Sequence, residues 1–298
     1  MGLSLRSRSF CFLLYWALSL IVFRKALSSL VILSWDDARY SHITLIPILC
    51  LGLIWFERRR IFPDAQFQLW AAPLVALGVG LYSMTEAWPA NFGPSSRLLL
   101  AASAIVLIWV GGFVLFYGPR CARVAAFPLS LSLLAIPLPP ELVESAEVFL
   151  QRGSADATHI LFLAFSTPVH REGLVFSLPG ITIEVAKECS GIRAAIALLI
   201  TALLLSYMFL RSNWRRACCV MLVVPIAIIK NAIRIALLSW LGVYVSRDFL
   251  TGDLHHHGGV VFSLISLALL LPAVWLLRRQ EEGRFAKPNL GPFPDRSR

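Results

Sequence analysis

Three kinds of reactive side chain in this sequence lie within or beside long apolar runs. They are a cysteine, Cys189, an arginine, Arg234, and three adjacent histidines, His255–His257. A cysteine attacks as its thiolate, which a helix N-terminus or a nearby arginine stabilises. Histidine takes up and returns a proton near neutral pH, and a guanidinium can hold an oxyanion. Together these residue types predict nucleophilic catalysis by a thiol.

Each of these residues also has a structural interpretation. Cys189 could be a small apolar residue of a helix end, as other cysteines in membrane proteins are. Arg234 could be a snorkelling side chain or half of a structural ion pair, although an arginine inside an apolar run indicates function by default. Lys230 and Asn231 precede Arg234 by four and three residues, so a helix would place all three on one face, turned into the protein.

The composition predicts a protein that spans a membrane several times. Of its 298 residues, 58% are hydrophobic and only 15% are charged, with a mean hydropathy of +0.74. A soluble domain would carry about 25% charged residues. The net charge of +10 comes from basic residues just beyond apolar runs, which is the pattern of cytoplasmic loops and argues against nucleic-acid binding.

We predict an all-α polytopic membrane protein with eight transmembrane helices. The apolar runs cover about residues 9–23, 43–57, 69–86, 98–117, 124–138, 190–210, 217–243 and 259–277. Alternating residues at 173–185 predict a short extracytoplasmic β-hairpin before the sixth helix, and the short apolar piece 158–168 could lie on the surface or cross. Residues 1–280 would form one transmembrane domain and 281–298 a cytoplasmic tail.

The predicted orientation brings the reactive residues to one side of the membrane. Arginines follow the second, fourth, sixth and eighth runs, so these loops are expected in the cytoplasm and the loops 24–42, 87–97, 139–189 and 244–258 outside. Cys189 would then begin the sixth helix at the outer face, Arg234 would lie in the outer half of the seventh, and His255 just before the eighth. We expect a free thiol, because no other cysteine lies on that side.

The three histidines also raise the possibility of zinc. Adjacent histidines rarely converge on one metal without ligands from elsewhere, and the sequence has neither an HExxH motif nor paired cysteines at ligand spacing. We therefore expect no metal and no cofactor.

Five segments resemble those of the exosortase/archaeosortase family, over roughly residues 30–275. They are Trp35-Asp-Asp-Ala-Arg-Tyr-Ser-His42, Phe127-Pro128 through Ile136-Pro-Leu-Pro139, Cys189-Ser-Gly-Ile192, Asn231-Ala-Ile-Arg234-Ile and Leu254-His255 followed by Gly258-Gly259. Each segment alone is a weak signal, but their order and spacing together are specific.

The resemblance implies a membrane-embedded cysteine enzyme that processes C-terminal sorting signals. It implies Cys189 as the nucleophile, Arg234 as the activating or oxyanion-binding group, and His255 as the general acid/base, with His256 second. The implied partners are secreted proteins with a tail of a Pro-Glu-Pro-like motif, a membrane helix and a basic end, and the implied location is the bacterial inner membrane with the site facing the periplasm. We expect Lys187, Arg193 and Asn231 to bind substrate.

Three other classes of protein remain as alternatives. A transporter would show inverted repeats and interrupted helices, and an acyl- or glycan-transferase would show carboxylates or histidine within a span. A non-catalytic scaffold for an envelope complex is the third. The sequence leaves the acceptor, the choice between hydrolysis and transfer, and the oligomeric state open.

Overall fold

The computed structural model describes residues 5–87, 93–186, 190–246 and 259–285. These residues are mostly helical, with one small sheet. The chain divides into two compact units, Met1–Glu144 and Ser145–Arg298.

The described part of the first unit is built from helices. They are α1 (Leu5–Val22), α2 (Arg24–Asp36), α3 (Leu45–Phe56), α4 (Arg58–Ile61), α5 (Ala72–Ala87), α6 (Pro94–Val124), α7 (Ala126–Leu131) and the start of α8 (Pro140–Ala164). The long helix α6 bends near its end, because Gly118 takes a positive φ of 87° and Pro119 lacks the N–H of a helical hydrogen bond.

Small residues let α5 lie close against α6. A Cβ added to Gly78 of α5 would lie 2.6 Å from Cγ1 of Ile108 and 3.1 Å from the carbonyl oxygen of Ala104. A Cβ added to Gly111 of α6 would lie 3.2 Å from Cβ of Leu74. Close backbone contact through glycine is a common way of packing helices in membranes, where no hydrophobic effect drives them together.

The described part of the second unit joins most of α8 to a sheet and four further helices. The strands are β1 (His170–Glu172), β2 (Val175–Leu178) and β3 (Ile181–Glu184), and the helices are α9 (Ile192–Phe209), α10 (Asn213–Met221), α11 (Val223–Tyr244) and α12 (Gly259–Phe285). The sheet is antiparallel in the order β1-β2-β3. Its core side chain is Phe176, fully buried and edge-on to Phe162 of α8 at 5.6 Å.

Six helical segments of the described residues are long and apolar enough to cross a membrane. They are Leu5–Val22, Ala38–Phe56, Pro94–Val124, Ile192–Phe209, Asn213–Tyr244 and Phe262–Glu282. The broken pair Ala126–Ala135 and Pro140–Ala164 would make a seventh. The all-α membrane fold is confirmed, whereas eight spans are not: the predicted third is the shorter apolar helix Leu69–Thr85, and the predicted fifth ends at the proline-rich break in that pair.

Two segments predicted as loops contain helices. Within 24–42, α2 buries Ala26, Leu30 and Ser34, four residues apart, so the segment is an amphipathic helix that the search for apolar runs missed.

An ion pair follows the end of α2. Asp37 accepts a hydrogen bond from the Arg39 N–H at 2.9 Å. The Arg39 side chain also hydrogen-bonds Asp37, which holds the pKa of that carboxyl below its usual value.

The predicted outer loop 139–189 contains α8, a 25-residue helix. The apolar piece 158–168 is the end of this helix and the residues after it, not a separate element. The structure has three strands where a two-stranded hairpin was predicted. The additional strand, β1 (His170–Glu172), pairs with the edge of β2 that does not pair with β3.

A buried carboxylate holds the turn between α9 and α10. Glu281 of α12 accepts hydrogen bonds from the backbone N–H groups of Arg211 and Ser212, at 3.0 and 2.6 Å. The Arg215 guanidinium lies 3.2 Å from the same carboxylate, and the Glu281 side chain is only 5% exposed. Glu281 thus supplies the N-terminal capping that α10 lacks from its own Ser212.

We predict that Gly78→Val destabilises the protein and that Gly80→Val does not. Both glycines lie in α5, but nothing lies within 4 Å of a Cβ added to Gly80. Overpacking at Gly78 should cost about 1–3 kcal/mol, measured as unfolding free energy in detergent. Since both substitutions change helix propensity equally, an equal effect at the two positions would contradict the close packing of α5 on α6.

Glu281→Gln should also destabilise the protein, by about 1.5–3 kcal/mol, because the hydrogen bonds to a charged acceptor are weakened. The matched control is Glu282→Gln on the exposed side of α12, where only an i,i+4 pair with Arg278 is lost. That change should stay within about 0.5 kcal/mol. Comparable unfolding midpoints for the two variants would rule out the capping role of Glu281.

Candidate active site

The structure describes three of the six predicted site residues. Arg234 and Asn231 lie on α11, and Arg193 lies in the first turn of α9. Cys189, Lys187 and His255, with its neighbours His256 and His257, fall outside the described residues.

A cavity of about 290 Å³ lies between the end of the sheet and α11. One wall is the chain from β3 onward, and the other is one face of α11; the lining residues are Thr182–Ala186, Asn231, Arg234, Ile235, Leu238 and Ser239. Its volume is at the lower end of the range for ligand sites, about 300–1,000 Å³. The cavity therefore has room for a small part of a ligand beside the Arg234 side chain.

The polar face of α11 is turned inward, as the spacing of its residues predicts. Lys230 is 3% exposed and Asn231 1%, while Arg234 is half-buried. The Arg234 guanidinium lies over the ring of Phe262 in α12, 5.8 Å from its centroid. This aromatic contact orients the Arg234 side chain on the polar face of α11.

A second buried polar face lies on α8, and the analysis of the sequence missed it. Its residues follow the helical repeat: Glu147, Gln151, Ser154 and Thr158, each between 0 and 7% exposed. Ser154 accepts a hydrogen bond of 3.0 Å from the Asn231 side-chain amide, and Gln151 donates to the carbonyl oxygen of Val185. The spacing of these four polar residues by three or four positions was the available signal.

Close packing accompanies these hydrogen bonds. A Cβ added to Gly153 of α8 would lie 2.9 Å from Cδ1 of Ile228 in α11. The polar faces of α8 and α11 therefore meet where the two helices lie close together. Gly153, at this close approach, is next to Ser154, which accepts the hydrogen bond from Asn231. Polar groups buried in this way cost free energy unless they are paired, so the contact fixes how α8 and α11 lie against each other.

The chain returns to α11 immediately before α9. Ser190 is buried, and Gly191 takes a left-handed conformation with φ of 75°. A Cβ on Gly191 would lie 3.4 Å from the Cγ and Oδ1 atoms of Asn231 and 3.7 Å from Nζ of Lys230. Both the backbone angle and the close approach thus favour glycine at this position.

Arg193 does not line the cavity. Its side chain is exposed, two residues beyond Gly191. Of the three described site residues, Asn231 and Arg234 therefore both line the cavity, whereas Arg193 is exposed and does not.

The arrangement combines an arginine, an amide and the start of a helix, where the N–H of Ile192 donates to the Ser190 hydroxyl at 3.4 Å. The first backbone N–H groups of α9 have no helical acceptors, and they carry the positive end of the helix dipole. With Arg234, such groups can stabilise negative charge on an oxygen or a sulfur atom.

Comparison with known proteins identifies the family. A family model described as transmembrane exosortase matches residues 34–272, which is most of the chain and includes the whole candidate site. No curated protein and no solved structure matches the chain. On this match, the chain belongs to the transmembrane exosortase family.

Proposed function

We propose that this protein is a cysteine-type peptidase or transpeptidase that cleaves the C-terminal sorting signals of secreted proteins. The observation that carries the proposal is the cavity beside Arg234, because the described chain reaches it on both sides of Cys189. Ala186 lines the cavity, and Gly191 packs against Asn231 in its wall. Family membership adds the substrate class, proteins that carry a C-terminal sorting tail.

We further propose that the protein lies in the bacterial inner membrane with this cavity toward the periplasm. Gly191, just before α9, packs against Asn231 of the cavity wall, and the other end of α9 reaches the turn that carries Arg211. Eighteen residues of helix extend about 27 Å, close to the thickness of the hydrocarbon core. Arginines near the far end favour the cytoplasm, which would put the cavity outside.

The reaction begins with the Cys189 thiolate. Its sulfur would attack the scissile carbonyl carbon and form a tetrahedral oxyanion, held by Arg234 and by N–H groups at the start of α9. The oxyanion then collapses to a thioester as the C–N bond breaks, and the amine of the tail leaves with a proton from His255.

The thioester is then broken by a second nucleophile, and His255 changes from proton donor to proton acceptor. His255 would take a proton from water, or from the amine of an acceptor, as that nucleophile attacks the thioester. The new acyl product leaves as the thioester C–S bond breaks, which restores the Cys189 thiolate beside the protonated His255. We propose hydrolysis as the basic reaction, since no acceptor is identified.

Substrate contacts are proposed for Asn231, Arg193 and Lys187. Asn231 is oriented by its hydrogen bond to Ser154. The exposed cation of Arg193 at the cavity's outside suits an acidic residue of the sorting motif, and Lys187 would act with it.

We predict that Cys189→Ala abolishes, and Arg234→Gln strongly slows, the processing of a co-expressed secreted protein with a Pro-Glu-Pro tail. Loss of the nucleophile should leave no detectable cleavage, and loss of the arginine should slow cleavage by about 10²–10³-fold, as for removal of an oxyanion donor. His255→Ala should be similarly slow. Tail removal is followed by gel mobility and by the mass of the new C-terminus.

Matched controls are Cys218→Ala in α10 and Arg216→Gln, which keep all the proposed catalytic groups. Both should process the substrate like the wild type. Processing at the normal rate by Cys189→Ala would discard the mechanism, and full activity of His255→Ala with loss in His256→Ala would move the acid/base role to His256.

Gln151→Leu should lower kcat for tail cleavage by about 10–100-fold, with KM changed less than about twofold. Gln151 is a positioning residue, because its amide fixes the Val185 carbonyl four residues before Cys189. Small displacements of reacting groups have effects of this size. The readout is steady-state cleavage of a tail peptide by purified enzyme.

Thr158→Val on the same buried face is the control for stability alone, since Thr158 bonds only within α8, to the Ser154 carbonyl. Both variants should lower the unfolding midpoint, but only Gln151→Leu should lower kcat. A kcat loss that is equal in the two variants would show that Gln151 acts through general stability.

A further inference from the structure

One edge of the sheet is open beside the candidate site. Because the strand order is β1-β2-β3, β3 has β2 on one side only. No strand pairs with its other edge among the described residues. Most of β3 and the two residues after it, Thr182 to Ala186, line the cavity. An open strand edge carries unpaired backbone groups and can take up another strand.

The register of the hairpin shows which backbone groups point outward. Val185 donates its N–H to the carbonyl oxygen of Leu174, 3.0 Å away. Since inward and outward positions alternate along an antiparallel strand, Ile181, Ile183 and Val185 turn their groups toward β2. Thr182 and Glu184 therefore turn theirs to the open edge.

These outward donors have no partner among the described residues. The Glu184 carbonyl accepts from the N–H of Ala186 at 3.0 Å. The register turns the N–H groups of Thr182 and Glu184 away from β2, and no hydrogen bond outside the strand pairing involves either of them. The two N–H groups are about 6.8 Å apart, the repeat of an extended chain. They are spaced to meet alternate carbonyl groups of an added strand.

The surroundings favour an extended peptide as the occupant. Across the cavity stand Arg234 and Asn231, and the helix face behind them is apolar at Ile235 and Leu238. Lipid cannot satisfy backbone N–H groups, so an open edge near the membrane must face water or a polar ligand. A peptide supplies carbonyl groups to the strand and side chains to the α11 wall.

We infer that the sorting peptide binds as an added β-strand on the open edge of β3, with its alternate side chains toward α11. This inference rests on the proposed function and names how the substrate is held. Strand addition takes its affinity from main-chain hydrogen bonds, so it tolerates varied sequences. In the sequence, β3 continues through Ala186 to Cys189 three residues later, so we expect the added strand to present its scissile bond near that end of β3.

The test removes the outward N–H of one residue. Thr182→Pro deletes it, while Thr182→Val keeps it and removes only the hydroxyl. Proline is tolerated on the open side of an edge strand, so the sheet should survive. We expect Thr182→Pro to reduce cleavage of a Pro-Glu-Pro tail protein at least tenfold, and Thr182→Val to change it less than twofold, with similar unfolding midpoints.

A second measurement uses the substrate and does not depend on folding of the proline variant. Synthetic peptides of the segment before the tail helix are N-methylated at one non-proline residue at a time and bound to Cys189→Ala protein. Strand addition predicts at least tenfold weaker binding at alternate residues only. Uniform sensitivity, or none, overturns the inference.

The two proposals fail differently. Normal cleavage by Thr182→Pro together with a flat N-methyl series would overturn strand addition and leave the proposed function intact. If the wild-type enzyme does not cleave the unmodified tail protein, both the proposed function and strand addition are wrong.

Discussion

The hydrogen bond between the Asn231 amide and the Ser154 hydroxyl joins two polar helix faces in a largely apolar protein. Asn231 is 1% exposed and Ser154 is fully buried, so neither group can turn to water instead. Buried polar groups of this kind are stable only as pairs, and pairing requires one relative position of α8 and α11. Gly153 makes that position possible by letting Ile228 approach it closely.

The same two helices also hold the described chain on either side of Cys189. Before the cysteine, Val185 is held by Gln151 of α8 and by Leu174. After it, Gly191 lies against Asn231 and Lys230 of α11. The two polar faces thus hold the described chain on both sides of residues 187–189, and the nucleophile that we propose at Cys189 would need such a fixed geometry.

The sequence predicted those features that depend on local periodicity and charge. The membrane class followed from long apolar runs, and the inward face of α11 followed from the spacing of Lys230, Asn231 and Arg234. Elements of mixed polarity were missed: α2 and α8 carry too many polar residues to be found as apolar runs, although their buried residues repeat every three or four positions. The contact between the polar faces of α8 and α11 could not be predicted, because no local sequence pattern shows which buried polar residues pair with each other in the fold. Eight spans are not confirmed, because the third predicted run forms the shorter apolar helix Leu69–Thr85 and the fifth ends at the break between Ala126–Ala135 and Pro140–Ala164.

The central claim is that Cys189 forms a thioester with the substrate. The most direct measurement is mass spectrometry of the enzyme after brief mixing with a tail-bearing substrate and acid quenching. We predict a hydroxylamine-labile adduct on the peptide that contains Cys189, with the mass of the substrate up to its scissile bond. Continued turnover with an adduct on a different residue, or with Cys189 unmodified at every time point, would contradict the account.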